Sequence, residues 1–79
     1  MSTLDVRWNV AAERDLLQLP PSDAERIIAA VETFADTGRG FIRVLLDGSG
    51  ERRLYVEGFY AIVTLDESVL SVLRVHRSS

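Results

Sequence analysis

Residues 51–66 read ERRLYVEGFYAIVTLD, and the reading of this stretch decides the fold. On both sides of Gly58 the side chains alternate with a period of two. Leu54 and Val56 oppose Arg53, Tyr55 and Glu57; Phe59, Ala61, Val63 and Leu65 oppose Tyr60, Ile62 and Thr64. Two such runs joined by a glycine turn predict antiparallel strands over Glu51–Glu57 and Phe59–Asp66. Phe41–Leu46 and Val69–Arg77 repeat the same period, set off by Asp47-Gly48-Ser49-Gly50 and by Asp66-Glu67-Ser68.

Upstream the period lengthens. Leu4, Val6 and Trp8 still alternate, as in a short strand, and Asn9 then offers a helix N-cap. Ala12, Leu16 and Leu19 make an apolar stripe at helical spacing, which Pro20 and Pro21 interrupt. Ser22 and Glu25 have the spacing of a capping box for a second helix. Its inward face carries Ala24, Ile27, Ile28, Val31, Phe34 and Ala35, and Gly38 and Gly40 close it. The expectation is one α+β domain over residues 1–79: an N-terminal strand, a helical hairpin, then an antiparallel sheet of about four strands packed against the helices.

Composition narrows the chemistry. There is no cysteine and a single histidine, so a disulfide, a thiolate metal site and a cysteine nucleophile are excluded, and no metal or other cofactor is expected. No apolar run approaches the roughly 20 residues that span a bilayer. The opening MSTLDVRW lacks the basic and apolar regions of a secretory signal, so the expected location is the cytoplasm. The formal net charge of −3 argues against a generic nucleic-acid binder. Yet the charge is uneven: residues 1–38 hold three arginines against seven acids, and residues 39–79 hold six against five. Every basic residue apart from His76 is arginine, whose planar five-donor fork suits phosphate and carboxylate.

If the helices cover one face of the sheet, the more apolar row of each strand belongs beneath them. That assigns Leu54, Val56, Phe59, Ala61, Val63 and Leu65 to the covered face, with Val69, Leu73 and Val75 from the last strand and Ile42, Val44 and Leu46 from the first of the four. The open face then gathers Arg43, Arg53, Tyr55, Tyr60, Arg74 and His76, together with Leu70 and Val72. Two readings of such a face stand side by side. Guanidinium groups beside aromatic rings can grip a phosphate backbone while the rings stack on bases. A mixture of Arg, Tyr and Thr is also the ordinary content of a solvated sheet face. His76, with an ordinary pKa of about 6.5, can act as general acid or base. No phosphate-binding loop, paired carboxylate motif or metal-ligand spacing is present.

Several phrases, in this order and at these spacings, carry a resemblance. WNVAAERDLLQLP (Trp8–Pro20), ERIIAAVETFADTG, GERRLYVEGFYAIV and the closing VLRVHR together resemble the RelE/ParE superfamily of toxins from bacterial type II toxin–antitoxin pairs. The resemblance implies a compact α+β toxin neutralised by a cognate antitoxin, as a homodimer or a hetero-oligomer with it. It implies one of two targets: the ribosome and its mRNA, cleaved by an endoribonuclease, or DNA gyrase, inhibited without catalysis. A diverged, non-toxic antitoxin-binding module is the third reading. In the nuclease reading Arg53, Tyr60 and His76 are the catalytic candidates, and Arg43, Tyr55, Arg74 and Arg77 the substrate-binding ones. The chain departs from the family at points that bear on this. Tyr60 stands where an arginine is usual, no aromatic follows Arg77, and Leu45 and Asp47 lie in a region that is commonly basic in the nucleases.

Overall fold

The computed structural model describes residues 3–78. The elements run β1 (Asp5–Trp8), α1 (Val10–Leu17), α2 (Pro21–Thr37), β2 (Phe41–Val44), β3 (Glu51–Val56), β4 (Phe59–Asp66) and β5 (Val69–Arg77). One sheet takes the order β1-β5-β4-β3-β2. The last four strands form the expected antiparallel meander. The N-terminal strand joins it as a fifth member, parallel to β5, with Trp8 opposite Val72. Parallel neighbours need a long connection, and here the helices and three strands supply it.

Both helices lie on one face. Ala12 from α1 and Ile27, Val31 and Ala35 from α2 pack on Leu54, Phe59, Ala61, Val63, Leu70, Val72 and Val75 of the sheet. The core contains no buried charged or polar residue among those described. Burying each aliphatic side chain of this kind contributes about 1.5–3 kcal/mol, offset by the conformational entropy of ordering the chain.

Helix ends depart from the sequence expectation. Asn9 has the extended backbone of an N-cap, but its side chain makes no capping bond. The second helix starts at Pro21 rather than after Ser22, so the Ser22–Glu25 capping box is not formed. Proline at the first helical position explains the shift: its fixed φ suits a helix start and its missing N–H leaves no donor to satisfy. The C-terminal end is as expected. Gly38 takes φ 76° and its N–H donates to the Phe34 carbonyl. Gly40 is needed for a second reason, since a Cβ there would sit 3.0 Å from Leu54 Cδ1.

The covered row was read correctly in β3 and in most of β4 but not in β5. Leu70 and Val72, expected on the open face, are fully buried, whereas Leu73, expected in the core, is only half-buried. The cause is a β-bulge. Ile62 pairs with Arg74 and Val63 with Val72, so Leu73 is an extra residue without a partner. One inserted residue reverses the alternation beyond it. Positions 70 and 72 therefore point inward before the bulge, and position 75 after it. In β2 Ile42 packs against the core as expected, but the strand ends at Val44, leaving Val44 and Leu46 exposed. Leu65, assigned to the covered row, is exposed near the end of β4. No helix among the described residues is long and apolar enough to cross a membrane.

Candidate functional site

The register of four strands lays two rows of side chains across the open face. The first is Phe41, Tyr55, Tyr60 and His76, contributed in turn by β2, β3, β4 and β5. Its rings touch as a chain. Phe41 meets Tyr55 edge to face at 5.8 Å, Tyr55 meets Tyr60 at 5.8 Å, and Tyr60 meets His76 at 5.4 Å between centroids. Aromatic pairs at such separations contribute about 0.5–1.5 kcal/mol beyond their buried area. The second row is Arg43, Arg53, Ile62 and Arg74.

Arg53 links the rows. Its guanidinium lies 4.7 Å from the Tyr60 ring centroid, a cation–π contact between diagonal neighbours on β3 and β4. Its Nε is shielded from solvent and has no hydrogen-bond partner, an unmet donor within the site. Arg43 stands directly opposite Arg53. Like charges in directly paired positions repel. A bound anion would remove that cost.

The arginines also set the state of Tyr55. The Arg53 guanidinium at its hydroxyl holds the phenol below its ordinary range, and Arg43 acts in the same direction against a smaller desolvation effect. Tyr55 in turn raises the already high pKa of Arg53. A phenol between two guanidinium groups is better able to give up or exchange a proton than a free tyrosine.

The site residues expected from sequence therefore divide. Arg53, Tyr60, His76, Arg43 and Tyr55 are brought together on the open face. Arg74 occupies the Ile62 position in the second row, but its guanidinium turns to α1. Its Nε donates to Asp15 Oδ2 at 2.8 Å and an Nη to Oδ1 at 3.1 Å. Arg77 pairs with Phe59, a covered-face residue, and its guanidinium lies 5.3 Å from that ring centroid. It belongs to the other side of the sheet from Tyr60, because the bulge has set position 76 outward and position 77 inward. Two residues in the arrangement went unremarked in the sequence. Phe41 begins the ring row and was detectable only through its register with Tyr55. Asp15 lies 59 residues from Arg74, and nothing local signals their pairing. Among the described residues no cluster of His, Asp and Glu has the makings of a metal site.

No protein-family model matches the sequence, and no curated protein matches it. Solved structures do match. The RelBE2 toxin–antitoxin complex of Mycobacterium tuberculosis contains a chain 27% identical, with a TM-score of 0.76, over 100% of this chain and 97% of that one. The RelE–RelB complex of Pyrococcus horikoshii gives a TM-score of 0.79 at 13% identity, over 95% and 94% of the two chains. The chromosomal ParDE system of P. aeruginosa gives 0.71 at 19% identity, over 98% of each. The last two show the fold; the first adds sequence identity across the whole length. Together with the ordered phrases from Trp8 to Arg77, these matches place the chain in the RelE/ParE superfamily of toxins.

Proposed function

We propose that this chain is the toxin of a type II pair, held inactive by a cognate antitoxin, and that its open sheet face binds and cleaves mRNA on the ribosome. The observation that carries the reading is the cross-strand pair Arg43–Arg53 beside the ring row. Two opposed cations with an unmet donor between them and the rings are suited to a phosphodiester. The rings beside them offer π-faces to unpaired bases.

In this reading Arg53 and Arg43 hold the scissile phosphate and stabilise the charge that grows on it as the ribose 2′-OH attacks. Tyr55, activated by the same arginines, takes the 2′-OH proton, and His76 delivers one to the leaving 5′-oxygen. Tyr60 contributes a hydrogen bond and fixes the Arg53 plane by stacking, in place of the positive charge usual at its position. Primer extension on mRNA from cells induced without antitoxin tests the reading. Codon-phased cuts that disappear in an Arg53→Ala/His76→Ala double variant support it; intact mRNA in growth-arrested cells removes it.

A second reading has its own observation. The net charge of −3, and the engagement of Arg74 by Asp15, weaken the electrostatic pull expected of a ribosome-binding surface. A gyrase-inhibiting toxin needs no such pull and no active site. Supercoiling by purified gyrase in the presence of excess protein separates the two: inhibition with mRNA intact favours the gyrase target.

A further inference from the structure

The end of β5 carries His76, yet it is the least supported part of the sheet. β1 accompanies β5 only as far as Trp8 opposite Val72, and the Asn9 N–H closes that ladder on the Val72 carbonyl. From Leu73 onward β5 has β4 on one side and no strand on the other. The bulge falls at this same point. The β4 ladder alone does not dictate where the extra residue sits. Moved toward the C-terminus, it would leave Arg74 and His76 in the inward phase of Leu70 and Val72 and turn Val75 out. The burial of Val75 favours the observed position. Asp15 supplies a second, directional constraint.

Asp15 Oδ2 accepts the Val75 backbone N–H at 2.9 Å, a donor that faces the edge β1 has abandoned. The same oxygen accepts from Arg74 Nε, and Oδ1 accepts from an Arg74 Nη. One carboxylate thus grips two consecutive residues just past the bulge and immediately before His76. We propose that Asp15 is the positioning residue of the open-face site, standing in for the missing strand and fixing the bulge at Leu73 so that His76 lies against Tyr60. Arg74 is then a brace and not a phosphate ligand. The catalytic consequence rests on the nuclease reading above; the brace itself does not. The lowered pKa of Asp15, caused first by the Arg74 hydrogen bonds and then by the Val75 N–H against a desolvation effect, agrees with a carboxylate held ionised in this role.

The test uses the full chain, with Asp15→Ala and Asp15→Asn compared by NMR. Removal of the carboxylate should speed hydrogen exchange of the Val75 amide by roughly tenfold or more relative to Ala61 in the core, a local loosening. It should also abolish the displacement of His76 ring-proton shifts by the Tyr60 ring, whose size a Tyr60→Leu variant calibrates. Asparagine keeps one acceptor but sets its NH2 against an Arg74 Nη, donor to donor, so both effects should appear at intermediate size. If the alanine variant does not fold, the asparagine variant is decisive alone. A folded variant with Val75 exchange and His76 shifts as in the parent overturns the proposal. If the brace is confirmed while the parent chain leaves ribosome-bound mRNA intact, only the nuclease reading fails. If the parent cleaves mRNA and the Asp15 variants leave Val75 and His76 unmoved, only the brace fails.

Discussion

The two faces of the sheet are held by different interactions, and β4 shows both at once. Phe59, Ala61 and Val63 point under the helices and are almost wholly shielded, whereas Tyr60, Ile62 and Thr64, one step along, are half-buried on the open side. The covered face is secured by burial of aliphatic surface, which is indifferent to direction and tolerant of chemistry so long as volume is kept. The open face depends on a few oriented contacts: a ring chain, a guanidinium over a ring, and two opposed arginines. Changes on the first should cost stability. Changes on the second should cost function and leave the fold standing.

The bulge in β5 is where the division is easiest to break. Leu70→Ala should destabilise by about 2–5 kcal/mol, as for a fully buried leucine. Leu73→Ala, at the half-buried bulge residue, should cost clearly less in the same urea titration. The reverse order would mean that β5 alternates without interruption and that the open face has been misassigned.

Arg53→Ala addresses the other face. Loss of a well-aimed cation at a developing oxyanion should lower the rate of mRNA cleavage by about 10²–10³, or roughly 2.7–4 kcal/mol. The midpoint of thermal unfolding should hardly move, since the residue leaves only a partly exposed cation–π contact behind. A large fall in stability would assign Arg53 to the scaffold instead.

Asp15 joins the faces and should report on pH. Its native pKa is depressed, first by Arg74, so its ionised form is stabilised by folding. The stability it contributes is present above the unfolded value of about 3.9 and is lost as pH falls through the lower native value. The parent chain should therefore lose stability below about pH 4 more steeply than Asp15→Asn, as read from unfolding midpoints between neutral and acid pH. Equal acid limbs would show that the ion pair adds nothing to the fold.

The smallest expected effect is on Tyr55. Its phenol titrates below the ordinary value near 10 because of Arg53 and then Arg43. Spectrophotometric titration should show one tyrosine ionising early in the parent and moving upward in Arg53→Ala. A pair of tyrosines titrating alike in both proteins would remove Tyr55 as the candidate base.

Much of the architecture was legible because hydrophobic periodicity is a local signal. ERRLYVEGFYAIVTLD could hardly be anything but a hairpin, and its alternation assigned Arg53, Tyr55 and Tyr60 to a common face without reference to any other element. The order of elements, the C-terminal glycines of α2 and the resemblance to the RelE/ParE superfamily followed in the same way. Other features were not legible. Pro21 displaced a capping box that the spacing of Ser22 and Glu25 had suggested, because a helix start depends on backbone preorganisation as well as on side-chain acceptors. Arg77 was grouped with His76 by adjacency, but consecutive strand residues point to opposite faces.

The sequence by itself determined which residues form strands, which form helices, and which chemistry is available to the open face, since each rests on side-chain type and spacing over a few residues. Tertiary structure alone decided which arginine is free and which is tied, and where β5 changes phase. Those outcomes depend on a carboxylate on α1 reaching a strand 59 residues away, and on a strand that outruns its neighbour. A contact between segments so distant along the chain leaves no trace in the periodicity of either.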